Sequence, residues 1–132
     1  PGDYLALMAY LPYDAEIERE VQQVRHQLRD HLHLAATLGF GPRFLHSTGQ
    51  LHKGGPDEGV FIQLTADDPA GVPIPGESYD FSTLKNAQAR GDMISLQARG
   101  LRAVRVHLKD DAARALRELR VAVERALHLL SR

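Results

Sequence analysis

The fold class of this chain is decided by the apolar run Tyr4-Leu5-Ala6-Leu7-Met8-Ala9-Tyr10-Leu11. The run has the length of one strand, contains no charged residue and ends at Pro12. A strand that is apolar on both faces is typical of a parallel sheet covered by helices on both sides. The sequence therefore predicts a central strand here and an α/β fold around it.

A helix is predicted directly after this strand. Asp14 can cap it, and Ile17, Val21, Val24 and Leu28 follow at spacings of three and four, which is typical of an amphipathic helix. We expect it to run into the late thirties and to end at the Gly39 and Gly41-Pro42 signals. The stretch from Arg43 to His46 then has the length of a short strand.

Strands and helices continue to alternate along the rest of the chain. The other predicted elements are a strand from Gly59 to Thr65, a loop from Asp67 to Gly76, a helix from Asp80 or Ser82 through Leu96, a strand from Ala103 to Leu108 and a helix opened by Asp110. The predicted order is β-α-β-β-α-β-α. This order indicates a doubly wound, three-layer α/β sandwich with a mainly parallel sheet.

Length and composition limit the class of protein. The 132 residues suit a single domain, 1–132, and the net charge of -1 disfavours nucleic acid as a partner. The sequence contains no cysteine, no long apolar run for a membrane and no signal-peptide pattern, so a cytoplasmic protein fits best. Because the chain begins at Pro1 rather than Met, we expect it to be a piece of a longer protein.

Chemistry is concentrated in the segment Gly41-Pro42-Arg43-Phe44-Leu45-His46-Ser47-Thr48-Gly49-Gln50-Leu51-His52-Lys53-Gly54-Gly55-Pro56. It combines two histidines, a lysine, an arginine and two hydroxyls with four glycines. Arginine, lysine and hydroxyl side chains bind phosphate and sugar hydroxyls, and glycine lets a ligand approach the backbone closely. The segment is predicted to be a loop at the carboxyl end of a strand, where sites in open α/β sheets lie.

The histidines of this segment allow more than one interpretation. His46 and His52 are not placed on one helical turn, and no cysteine or carboxylate cluster completes a metal set, so no metal is predicted. A histidine at a strand end can act as general acid or base. Alternatively, both histidines form hydrogen bonds with loop backbone, and Lys53 is a solvated loop charge.

The segment resembles a known family. Read from His46, the pattern His-x-x-x-Gln-Leu, then His-x-Gly, then the strand 60–65, is similar to the carboxyl-terminal sugar-isomerase domain of glucose-6-phosphate isomerase. The stretches 45–56, 73–76, 84–92 and 104–108 resemble the end of bifunctional transaldolase/glucose-6-phosphate isomerases. The resemblance covers nearly the whole chain.

The resemblance implies a sugar-isomerase-like fold and reversible conversion of glucose 6-phosphate and fructose 6-phosphate, without metal or cofactor. His46 matches the ring-opening histidine, which in the family is supplied by a neighbouring subunit, so a homodimer is implied. Lys85 is the nearest candidate for a second catalytic residue, with a surface helix lysine as the alternative. The substrate-binding residues expected in the segment are Arg43, Ser47, Thr48, Gln50, His52 and Lys53.

The sequence also departs from the family. Phe44-Leu45 replaces the Gly-Gln that precedes the family's histidine. The acidic residues upstream of His46 fall on the first predicted helix and look like a solvated face: Asp14, Glu16, Glu18, Glu20 and Asp30. We therefore expect the catalytic carboxylate in upstream isomerase and transaldolase domains of the parent chain, and no activity from this part alone. The alternative is a non-catalytic module for phosphosugar binding or dimerisation.

Overall fold

The computed structural model describes residues 2–131 as a four-stranded sheet covered by helices. The elements are β1 (Tyr4–Tyr10), α1 (Ala15–Leu32), β2 (Ala35–Phe40), a short 3₁₀ turn (Arg43–Leu45), α2 (Ser47–Gly54), β3 (Gly59–Ala66), α3 (Phe81–Ala98), β4 (Arg102–Leu108) and α4 (Ala112–Leu130). The strand order is β2-β1-β3-β4, and all three pairings are parallel. The predicted α/β class with a parallel sheet is confirmed.

The apolar strand β1 lies inside the sheet, as predicted. It pairs with β2 on one side and β3 on the other, and residues 5–10 are all buried. Leu7 and Ala9 pack in a core with α1 and α4, while Met8 and Tyr10 pack in a core with Phe44 and α3. Both faces of β1 are therefore covered, which explains why its sequence does not alternate.

The sheet separates two helical layers. Helices α1 and α4 pack together on one face, and α2 and α3 cover the other. The chain moves outward from β1 to β2 and then returns past β1 to β3, so the connections are doubly wound about this point. Within residues 2–131, no helix combines the length and apolar character needed to cross a membrane.

Several helix starts agree with the sequence. Asp14 caps α1, because its carboxylate accepts hydrogen bonds from the backbone N–H groups of Glu16 and Ile17 at 2.9 Å. Asp80 caps α3 through the N–H of Thr83 at 2.7 Å. Helix α4 is capped by Asp111, one residue later than expected, and Asp110 adopts φ 59° just before it.

The prediction for the second strand was wrong. Helix α1 ends at Leu32, where His33 turns the backbone into the left-handed region with φ 54°, and 35–40 forms β2 beside β1. Residues 43–45 form a 3₁₀ turn rather than a strand. The Ala-Ala-Thr-Leu sequence of β2 has weak strand preference, so its pairing with β1 rather than local propensity determines its structure.

The glycine-rich segment forms helix α2 rather than the predicted loop, so the order becomes β-α-β-α-β-α-β-α. Gly49 explains part of this difference. A Cβ at position 49 would lie 2.7 Å from the backbone oxygen of Phe44. This glycine therefore lets α2 pack closely against the preceding turn, whereas the sequence suggested that it gave a loop its freedom.

Candidate functional site

The segment 43–54 lies between edge strand β2 and strand β3. Because β2 and β3 are parallel, α2 must run from the carboxyl edge of the sheet back to its amino edge. His46, Ser47 and Thr48 are exposed at the start of α2. His52 and Lys53 lie at its other end and are largely covered. The segment is thus divided into an exposed and a covered part.

A cavity of about 350 Å³ lies along β2 and is lined by residues of β1, α1, β2 and α2. Three of the predicted substrate-binding residues line it, namely Arg43, Thr48 and His52. Thr48 and His52 share one helix face because they are four residues apart. The structure therefore brings a guanidinium, a hydroxyl and an imidazole to one cavity.

The predicted ring-opening residue, His46, is exposed at the N-cap position of α2. Among residues 2–131, its ring takes part in no hydrogen bond or ion pair, and it does not line the cavity along β2. Ser47 and Gln50 are also exposed, outside that cavity. A solvent-exposed imidazole can exchange a proton with a bound molecule near neutral pH.

His52 has different surroundings. Its ring centroid lies 5.0 Å from that of Phe61 and 6.4 Å from that of Tyr4, and the residue is 6% exposed. Burial lowers the pKa of His52, with a smaller opposing effect from Asp92, and its Nδ1 has no hydrogen-bond partner in the described chain. The ring is therefore predominantly neutral at pH 7 and borders the cavity as part of the core.

Lys53 is engaged by the protein itself. Its ammonium forms an ion pair with Asp92 of α3, whose side chain is 1% exposed. Apart from Lys53, no group within residues 2–131 donates to this carboxylate. The pair connects α2 to α3 and leaves Lys53 less available to a ligand than the sequence suggested.

Lys85 lies in the second turn of α3, where its Nζ is 2.6 Å from Asp68 Oδ1. Both side chains are mostly buried, so this lysine is not the surface residue of the alternative interpretation. Lys85 and His46 both follow strands that end at the same edge of the sheet, but no contact or cavity in the described chain joins them. Their catalytic roles stay predictions.

The upstream acidic residues have separate surroundings. Glu16 and Glu20 pair with Arg117 and Arg120 of α4, at 2.6 and 3.4 Å. Glu18 instead lines the cavity with Arg43 and Thr48, which sequence reasoning missed. Its spacing of four from Gln22, which lines the same cavity, is the sequence feature that could have indicated this position.

These groups are suited to binding hydroxyls and anions and to exchanging protons. Arg43 and Thr48 can bind a phosphate or a sugar hydroxyl, and Glu18 and His46 can exchange protons. In the part of the chain that the structure describes, no three side chains of His, Cys, Asp or Glu cluster closely enough to hold a metal ion.

Comparisons with known proteins support the fold and do not assign a family. No protein-family model and no curated protein matches the chain. A hypothetical protein of Thermus thermophilus has a similar structure, with 16% identity and a TM-score of 0.75 over 94% of this chain. A de novo designed Rossmann fold protein matches 92% of this chain and 98% of its own, at 10% identity and a TM-score of 0.48.

The Thermus protein is much longer than the matched region. The chain spans 35% of its length. At this identity the similarity concerns the fold alone, which is the parallel sheet with helices on both faces.

Proposed function

We propose that this chain is the carboxyl-terminal part of a cytoplasmic glucose-6-phosphate isomerase, fused to a transaldolase, and that it supplies the ring-opening histidine. The proposal rests on the sequence resemblance around His46. It is supported by one structural observation: His46 is exposed in the same segment as Arg43 and Thr48, which line a cavity. A histidine buried away from solvent would have argued against it.

The proposed chemistry is a proton exchange at the sugar ring. His46 donates a proton to the ring oxygen of glucose 6-phosphate while a base or water removes the proton of the C1 hydroxyl. The bond between C1 and the ring oxygen breaks, and C1 becomes an aldehyde carbon. Arg43 and Thr48 hold the phosphate or the hydroxyls. This first step requires no carboxylate, whereas the later proton transfer between C1 and C2 does.

We place the remainder of the site outside this segment. His46 is exposed, and in the family such a residue serves the site of a neighbouring subunit, so the proposal includes a homodimer. It also includes upstream isomerase and transaldolase domains that provide the carboxylate. Because Lys85 is paired with Asp68, it acts near the ring oxygen only where the substrate competes with that carboxylate.

Anomer exchange tests the proposal without requiring the complete isomerase. The rate at which α- and β-glucose 6-phosphate interconvert is measured by NMR magnetisation exchange with the purified chain added. We expect acceleration by the unaltered chain and a loss of about 10²-fold in that acceleration for His46→Asn, which cannot donate the proton. His128→Asn is the control, because His128 is an exposed histidine of α4.

Each outcome decides between the candidate functions. Binding of fructose 6-phosphate without anomer exchange would favour the alternative, a non-catalytic phosphosugar-binding or dimerisation module. The structural use of His52 and Lys53 removes two of the predicted substrate-binding groups and leaves Arg43 and Thr48 at the cavity for either function. Equal loss in the His46 and His128 variants would overturn the role of His46.

The Glu18 carboxylate adds a further test of the same proposal. The proposal places the catalytic carboxylate outside this chain, so the chain alone should not convert glucose 6-phosphate into fructose 6-phosphate. If it does, and if Glu18→Gln abolishes the conversion, the catalytic carboxylate lies on α1. The proposal that upstream domains provide this carboxylate is then wrong.

A further inference from the structure

The carboxyl ends of β3 and β4 border a second cavity, of about 510 Å³, beneath the first half of α3. It shares no lining residue with the cavity along β2. Ligands of open parallel sheets bind at the carboxyl ends of strands. The polar side chains that line it include Thr65, Ser82, Asn86, Arg90, Arg105 and His107.

The spacing of these residues places them on one face of α3 and one face of β4, and both faces border the cavity. Ser82, Asn86 and Arg90 are four residues apart and share one face of α3. Arg105 and His107 are two residues apart and share one face of β4. The helix and the strand therefore present polar side chains to the same space, where a sheet and helix would otherwise meet through apolar residues.

The imidazole of His107 is held from both sides. Its Nδ1 lies 2.9 Å from Thr65 Oγ1, and its Nε2 lies 3.0 Å from Asp67 Oδ1. The other oxygen of Asp67 accepts a hydrogen bond from the N–H of Asp110 at 3.4 Å. These hydrogen bonds lower the pKa of Asp67, with the His107 contact as the largest cause. The Asp67 carboxylate is therefore already occupied.

Arg105 is positioned by groups beneath it. Its Nε donates to Oε1 of the fully buried Gln63 at 2.7 Å, and one terminal nitrogen donates to the Ala89 carbonyl at 3.3 Å. The other terminal nitrogen, Nη1, has no partner within residues 2–131, and neither has the side chain of Arg90. A guanidinium fixed in advance loses little conformational entropy when it binds an anion.

Two carboxylates, Asp67 and Asp68, line this cavity together with two guanidinium groups. Lys85 neutralises Asp68 at 2.6 Å, and Asp67 is bound to His107. Arg90 and Arg105 remain without carboxylate partners in the described chain. A guanidinium group binds phosphate oxygens through parallel N–H···O hydrogen bonds.

We propose that this cavity binds a phosphomonoester of a small hydroxylated molecule. Arg90 and Arg105 contact the phosphate oxygens, and Ser82 and Asn86 form hydrogen bonds with hydroxyl groups. His107 borders the phosphate without donating to it, because both of its ring nitrogens are engaged by Thr65 and Asp67. The site is separate from the His46 segment, so the proposal does not depend on isomerase activity.

The test is an NMR titration of the isotope-labelled protein with fructose 6-phosphate, inorganic phosphate and fructose, at constant ionic strength. We expect saturable shifts of the Arg90 and Arg105 Nε–H signals and of the His107 ring with both phosphates, and none with fructose. Arg90→Gln should weaken fructose 6-phosphate binding at this cavity by at least about tenfold. Arg19→Gln is the matched control, because Arg19 is exposed on α1 across the sheet.

The outcomes separate this site from the proposed function. Shifts confined to residues 46–55 would overturn this inference and leave the proposal for His46 intact. Shifts confined to the cavity would support this inference whatever happens at His46. Equal weakening by Arg90→Gln and Arg19→Gln would show that only diffuse charge attracts the phosphate, which overturns the site.

Discussion

The first and last turns of α2 carry similar side chains in different surroundings. At the start, His46 is exposed with no partner in the described chain; at the end, His52 is packed between aromatic rings and Lys53 pairs with buried Asp92. In sequence both ends look equally suited to a ligand. The difference shows that a polar, glycine-rich motif can be half structural and half available for binding.

The largest expected effect is at the buried end. Lys53→Met leaves the Asp92 carboxylate buried without its partner, so we expect a loss of about 3 kcal/mol in the free energy of unfolding, measured by urea denaturation. Arg114→Met, which removes an exposed pair with Glu118, should cost less than about 1 kcal/mol. If Lys53→Met costs no more than this control, the pair does not hold α2 to α3.

A double variant sharpens this prediction. Replacing both partners, as Lys53→Met with Asp92→Leu, removes the buried charge as well as its partner. We expect the double variant to recover much of the stability lost in Lys53→Met, because a buried ion pair is often replaceable by apolar groups. A double variant that is less stable than Lys53→Met would contradict this explanation.

The next effect concerns how closely α2 packs. A Cβ at Gly49 would meet the Phe44 backbone oxygen at 2.7 Å, so Gly49→Ala should destabilise the protein by about 2 kcal/mol. Gly91→Ala is the matched control inside α3, where nothing lies within 4 Å of the added carbon. It should stabilise by about 0.5–1 kcal/mol. Thermal unfolding of both variants should therefore give shifts of opposite sign.

The smallest expected effect is on the pH dependence of the free energy of unfolding. Burial lowers the pKa of His52 in the folded protein, so as pH falls below about 6.5 the unfolded chain binds a proton that the folded protein binds less well. Stability should then decrease, by at most about 1.4 kcal/mol per pH unit. His52→Phe should reduce this dependence between pH 7 and 5 in urea titrations.

The control for this experiment is His46→Asn. The His46 ring is exposed and has no partner in the described residues, whereas the His52 ring is packed in the core. If both variants change the dependence equally, the two ends of α2 do not differ in their burial of histidine.

The sequence predicted strand β1 and two helix caps correctly but missed strand β2 and helix α2. The apolar run of β1 and the caps Asp14 and Asp80 were identified correctly, because each depends on nearby residues. Strand β2 and helix α2 were missed, since the first helix was expected to continue into the late thirties and α2 contains glycines that usually indicate a loop. In both, tertiary packing outweighs local preference.

The site was predictable to a similar extent. The sequence identified 41–56 as a segment rich in polar residues and glycine but could not divide it, because the division depends on a helix that was not predicted. The contact of Thr65 with His107 depends on the register of β3 against β4, which appears only once the strands are paired. The spacing of Ser82, Asn86 and Arg90 was visible in the sequence, but it gains meaning only opposite β4.

The position of β1 between β2 and β3 has a consequence for synthesis on the ribosome. The most apolar strand emerges first, yet one of its edges stays unpaired until the chain has been extended through Ala66. Parallel pairing between strands so distant in sequence is slow and exposes apolar surface in the meantime. During that interval the unpaired edge of β1 is therefore the part of the nascent chain most prone to aggregation.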